Sequence, residues 1–157
     1  MREQSAVTIA ADLRPGETAG LRELLASMGN GVANGSVLDL GALSDVHFAR
    51  LFLLEETVDL EGKPLPATLV YLSDFDVSKD EHLVQLAAAP GLDRVFGSCE
   101  GFPSSGLAQD RLAFLRGRVI EEQARYVNRP GRTVRQIRGE AELREAIEGF
   151  LDSRADD

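Results

Sequence analysis

The chain has 157 residues, of which 43% are hydrophobic and 27% charged. That balance suits one folded domain with a continuous apolar core and excludes a disordered tail or a fibrous repeat. Acidic residues outnumber basic ones, 26 against 17, for a formal net charge of −9, and so negative a chain repels phosphate backbones, which argues against nucleic acid as a partner.

Residues 1–7 lack the apolar run of a leader, and no window is long enough to span a bilayer, so a cytoplasmic protein without a membrane span is expected. Residues 6–11, Ala-Val-Thr-Ile-Ala-Ala, tolerate extended backbone and are closed by Arg14-Pro15-Gly16, which predicts a strand and a turn into a helix. Leu21, Leu24, Leu25 and Met28 recur at i, i+3, i+4 and i+7 and form one helical stripe, ended by Gly29-Asn30-Gly31. Residues 30–44 read as a long connector. In the predicted strand 46–54, Phe48, Arg50, Phe52 and Leu54 fall on one face and His47, Ala49, Leu51 and Leu53 on the other.

The turn residues Glu61-Gly62-Lys63-Pro64 precede a third strand at 67–72, so the second and third strands form an antiparallel hairpin with a longish loop. Ser78 and Glu81 make a capping-box pair ahead of a helix in which Leu83, Leu86 and Ala87 share a face until Pro90-Gly91. His82 is expected to face solvent. Residues 110–117 suggest a short helix, and residues 123–128 a fourth strand. Thr133 and Gln136 form a second capping box, opening an amphipathic helix over about 133–152. The tail beyond it is expected to fray.

Strand, helix, strand, strand, helix, strand and a further helix is the order of an α+β, ferredoxin-like βαββαβ sandwich with an added C-terminal helix, in a single domain over 1–157. Both internal helices then lie on one sheet face. The other face, apolar on the second strand, must be covered by the terminal helix, by the 104–122 segment or by another subunit. A homodimer or a protein partner seated on that face, enclosing a pocket for an apolar small molecule, is the assembly reading.

Candidate chemistry gathers in Phe96-Gly97-Ser98-Cys99-Glu100-Gly101-Phe102-Pro103. Cys99 reads either as a reactive thiol, activated by His47 or an arginine with Glu100 as acid or base, or as a small buried hydrophobe. His47 reads either as a general base or ligand oriented by Asp45, or as a strand-end histidine bonded locally. Asp74 and Asp76, two apart in extended chain, point to one side and serve the turn and the start of the helix after it. Arg125, Arg129 and Arg132 sit beside a helix start where an anion could dock. Arg50, Tyr71, Phe96, Phe102, Arg125 and Arg132 are the candidate ligand contacts. Phosphate-loop, dinucleotide, nucleophile-elbow and zinc-helix signatures do not occur.

The segments Val46-His47-Phe48-Ala49-Arg50, Cys99-Glu100-Gly101-Phe102-Pro103 and Tyr126-Val127-Asn128 with Gly131-Arg132-Thr133-Val134 resemble a group of uncharacterised bacterial domains. The resemblance spans most of the chain and implies a ferredoxin-like module with no settled activity. Where that group tends to carry histidine before the cysteine, this chain has Ser98. A looser analogy, to dimeric α/β-barrel proteins of peroxidase-like and monooxygenase-like type, implies haem as a possible cofactor and a small enzyme acting on an apolar substrate through His47 and Cys99.

Overall fold

Strict alternation of side chains builds one face of the sheet into a core. In the computed structural model, which describes residues 4–29, 37–126 and 131–155, β1 (Ser5–Asp12) buries Val7, Ile9 and Ala11. α1 (Thr18–Gly29) buries Leu21 and Met28 and packs Leu24 and Leu25 against the same core. A short 3-10 turn at Leu40–Ala42 leads into β2 (Val46–Leu54). A small ribbon of β3 (Thr57–Val58) and β4 (Pro64–Leu65) occupies the loop before β5 (Thr68–Phe75). α2 (Lys79–Ala88), α3 (Leu92–Phe96) and α4 (Ala108–Arg116) follow, then β6 (Val119–Ile120) and the long α5 (Val134–Ala155).

The protein is α+β, with a four-stranded antiparallel sheet in the spatial order β2-β5-β1-β6 and a long C-terminal helix. Tyr71 on the central β5 lies opposite Ile9 on one side and Leu51 on the other, so the odd-numbered residues of three strands share one face. Leu83 and Leu86 of α2, Val95 and Phe96 of α3 and Leu115 of α4 complete the core on that face. Each such side chain, fully buried, contributes about 1.5–3 kcal/mol. No helix among the described residues is long and apolar enough to cross a membrane.

The second capping box forms in full, and of the first the Ser78 half forms. Ser78 Oγ accepts from the Glu81 N–H at 3.2 Å; Thr133 Oγ1 accepts from the Gln136 N–H at 3.2 Å while Gln136 Oε1 accepts from the Thr133 N–H at 2.9 Å. Three expectations need correction. The fourth strand is Val119–Ile120 rather than 123–128, where 123–126 form no strand and 127–128 lie outside the described residues; it needs only two residues because it pairs at the sheet edge with Thr8 and Ile9. The connector is core at its far end, with Leu38 and Leu43 buried, and only 37–44 of it lie within the described residues. Gly91, at φ +84°, lets that segment approach closely, since a Cβ there would collide with the Val37 carbonyl. The helix ended by Pro90-Gly91 is followed at once by α3, which buries Leu92, Val95 and Phe96.

His82 is the third correction: it is 0% exposed, one helical turn before buried Leu86. Its ring stacks on Phe75 at a centroid distance of 4.0 Å, and its Nε2 lies 3.1 Å from the Tyr71 hydroxyl. Burial pushes its imidazole down from 6.5 to about 4. The unfolded chain therefore takes up this proton near pH 6.5 and the folded chain only near 4, so the contribution is complete above pH 6.5 and is lost as the pH falls through that window. Denaturant unfolding should show wild-type stability falling between pH 7 and 4.5 by on the order of 2–3 kcal/mol more than that of His82→Phe; equal slopes would show that His82 is not held neutral by the fold.

Candidate functional site

From Phe48 onward the even-numbered residues of β2 turn away from the core. Phe48, Phe52 and Leu54 stand exposed with Arg50 among them, while Ala49, Leu51 and Leu53 pack inward. On β5, Asp74 lies opposite Phe48 and Leu72 opposite Arg50, and Ile120 of β6 extends the same face from beyond Thr8. Phe48 keeps 68% of its surface in water. Phe48, Arg50, Leu72 and Asp74 line a shallow groove of about 270 Å³.

Neither intramolecular cover expected for this face is in place. α4 turns its Phe114 edge-on to Phe96 and Phe102, on the core side. α5 buries Val134 alone in its first turn, and residues 135–154 are exposed throughout.

A buried carboxylate fixes where α5 starts. β2 carries a bulge between Val46 and Phe48, which takes His47 out of the alternation. Its Nε2 lies 2.7 Å from Asp76 Oδ1 and 3.2 Å from the Gln4 side-chain amide. Asp76 is 3% exposed; its Oδ2 accepts from the Val134 N–H at 2.6 Å, and its own N–H donates to the Asp45 carbonyl at 2.9 Å. One carboxylate thus ties the start of β2, the end of β5 and the first turn of α5. These bonds offset the cost of removing it from water.

The expected partner of His47, Asp45, instead accepts from the Ser44 hydroxyl with its side chain and from the Asp76 N–H with its carbonyl; Asp76 supplies the carboxylate to His47. Asp74 and Asp76 do not share a side, because β5 ends at Phe75 and alternation ends with it. Asp74 stays exposed on the open face while Asp76 turns inward to serve α5 rather than α2. The capping box marked the start of α5, but no sequence signal tied it to a residue 58 positions earlier.

His47 and Cys99 lie at opposite ends of β1. Gln4, beside His47, precedes the eight residues of β1, and Leu13, which bridges to Cys99, follows them, a separation of about 25 Å. They cannot act on one bond of a small substrate. Cys99 is fully buried, and burial pushes its thiol up to about 12, with Arg118 and Arg14 offsetting only part of that rise. At neutral pH it is a thiol, not a nucleophilic thiolate. Glu100 is exposed and contributes its backbone, the N–H to the Asp12 carbonyl at 2.8 Å and the carbonyl to Arg118 at 3.0 Å.

Of the candidate ligand contacts, only Arg50 is on the open face. Tyr71 and Phe96 are core residues, the Tyr71 hydroxyl pushed up to about 12 by burial, and Phe102 packs edge-on to Phe114 at 5.1 Å. Arg125 donates to the Gln4 carbonyl and Arg132 pairs with Glu140, so these two are already engaged; Arg129 lies outside the described residues.

The donors do not fit haem. His47 has Nε2 committed to Asp76, His82 is stacked in the core, and Cys99 is buried as a thiol. Among the described residues no group of three or more His, Cys, Asp and Glu side chains is placed to hold a metal ion.

Two measurements check these placements. Cys99 should react with a thiol reagent only as fast as the protein unfolds, and rapid labelling of the native protein would overturn its burial. Asp76→Ala should lower stability by about 2–3 kcal/mol by leaving the Val134 N–H and His47 without their acceptor, and a loss below about 0.5 kcal/mol would show that the tie carries nothing.

Comparison with models of protein families, with curated proteins and with solved structures finds no match for this chain.

Proposed function

We propose that this chain is an assembly module, not catalytic by itself, whose open sheet face is its recognition surface and whose partner there is a second copy. The carrying observation is the exposure of Phe48, Phe52 and Leu54 along the outward face of β2, with Ile120 exposed at the far edge of the same sheet face and Val70 buried between them. Scattered exposed apolar residues are ordinary, but a contiguous apolar sheet face signals a contact surface.

The same reading takes the domain as ferredoxin-like. With the 3-10 turn, the small β3–β4 ribbon and the short α3 and α4 set aside, β1, α1, β2, β5, α2 and β6 follow one another in the chain, and the order β2-β5-β1-β6 puts β5 between β1 and β2. That supports a split βαβ arrangement and agrees with the likeness to uncharacterised bacterial ferredoxin-like domains. The separation of His47 from Cys99, and the raised pKa of the thiol, weigh against a small enzyme built on that pair.

Size-exclusion chromatography with light scattering should give the mass of a dimer, and Phe52→Glu should raise the dissociation constant about tenfold or more by placing a charge on the desolvated surface. A wild-type monomer at high protein concentration would sink the proposal.

A further inference from the structure

A second apolar surface of this chain is also without a partner. Leu143, Ile147, Phe150 and Leu151 stand at i, i+4, i+7 and i+8 of α5 and are all exposed, so they form one stripe along its C-terminal half. A helix takes most of its stability in a protein from packing such a stripe. Its own sheet cannot supply that packing while Asp76 and the Thr133–Gln136 box hold the first turn at the end of β5, because residues 135–154 leave the fold from there with no burial.

We infer that the occupant of the open face is α5 of the second copy, exchanged reciprocally. This rests on the face being a contact between copies, as proposed above, and names the element that covers it. Three matches support the assignment. The first is length: the stripe Leu143–Leu151 runs about 12 Å along α5, which fits within the roughly 20 Å from Phe48 to Leu54 on β2.

The second is charge. The open face sets Arg50 and Asp74 beside Phe48 and Leu72, and α5 sets Glu140, Arg144 and Glu148 beside Leu143 and Ile147, so each charge of the face has an opposite charge available on the helix. Arg144 and Glu148 pair with each other in the free chain, but an exposed pair is weak enough to exchange partners.

The third is area. Four α5 side chains meeting the four apolar side chains of the face, in two symmetric contacts, withdraw on the order of 1,000–1,600 Å² from water, which reaches the range of specific dimers. Sheet-on-sheet contact would leave both helical stripes exposed. Exchange hides both surfaces of both copies.

The experiment mixes two single variants, F52C and I147C, under mild oxidation. Native Cys99 is buried and does not compete, and its failure to label reports that each variant is folded. The expected product is a disulfide between the two different variants, at least about fivefold over either homodisulfide, since contact raises the effective concentration of one thiol near the other. A dominant F52C homodisulfide would keep a copy on the sheet face but overturn the assignment to α5. A dominant I147C homodisulfide would set helix against helix and overturn it too. No interchain disulfide, together with a monomer mass for the wild type, would sink both the exchange and the assembly reading.

Discussion

A strand that is apolar on both sides needs two layers to hide it. β2 turns Ala49, Leu51 and Leu53 into the core and Phe48, Phe52 and Leu54 out of it, and period-two geometry gives the chain no way to satisfy both sets with helices on one side only. α1, α2, α3 and α4 contribute their buried residues to a single core with the inward set. The outward set is left to whatever the molecule meets. A half-covered antiparallel sheet normally shows polar residues to water; here Arg50 and Asp74 are the charged positions among large apolar neighbours.

The position of α5 follows from a different kind of interaction. A carboxylate with 3% of its surface exposed is costly unless its lone pairs are used, and Asp76 uses them on His47 and on the first turn of α5. The same bonds make the helix leave the fold at the end of β5. Tertiary polar contact at one point and apolar exposure along the rest of the helix are therefore linked: the anchor that satisfies Asp76 keeps Leu143, Ile147, Phe150 and Leu151 off their own sheet.

The two residues with the most chemical promise are used for structure. Cys99 is a core side chain bridged to the end of β1, and His47 is an acceptor's neighbour at the other end. Two arginines near the thiol do not outweigh its burial, which illustrates how desolvation, rather than the nearest cation, sets the protonation of a buried group. Function is then better sought on surfaces than in a constellation of polar side chains.

Much of the framework was legible in the chain. The bounds of β2, the stripe of α1, both helix caps and the split of β2 into two apolar faces all rest on local periodicity or on hydrogen bonds three residues apart, which the residues carry wherever they sit. Other features were set by contacts remote in sequence. The fourth strand is two residues long because its partners on β1 decide it, His82 is buried because Tyr71 and Phe75 form its site, and Asp76 holds Val134 across 58 positions. The sequence alone determined an α+β chain with more apolar surface than one layer of helices hides; only the tertiary structure decided where α5 starts and which surface stays open, because the buried bond from Val134 to Asp76 joins residues that no spacing relates.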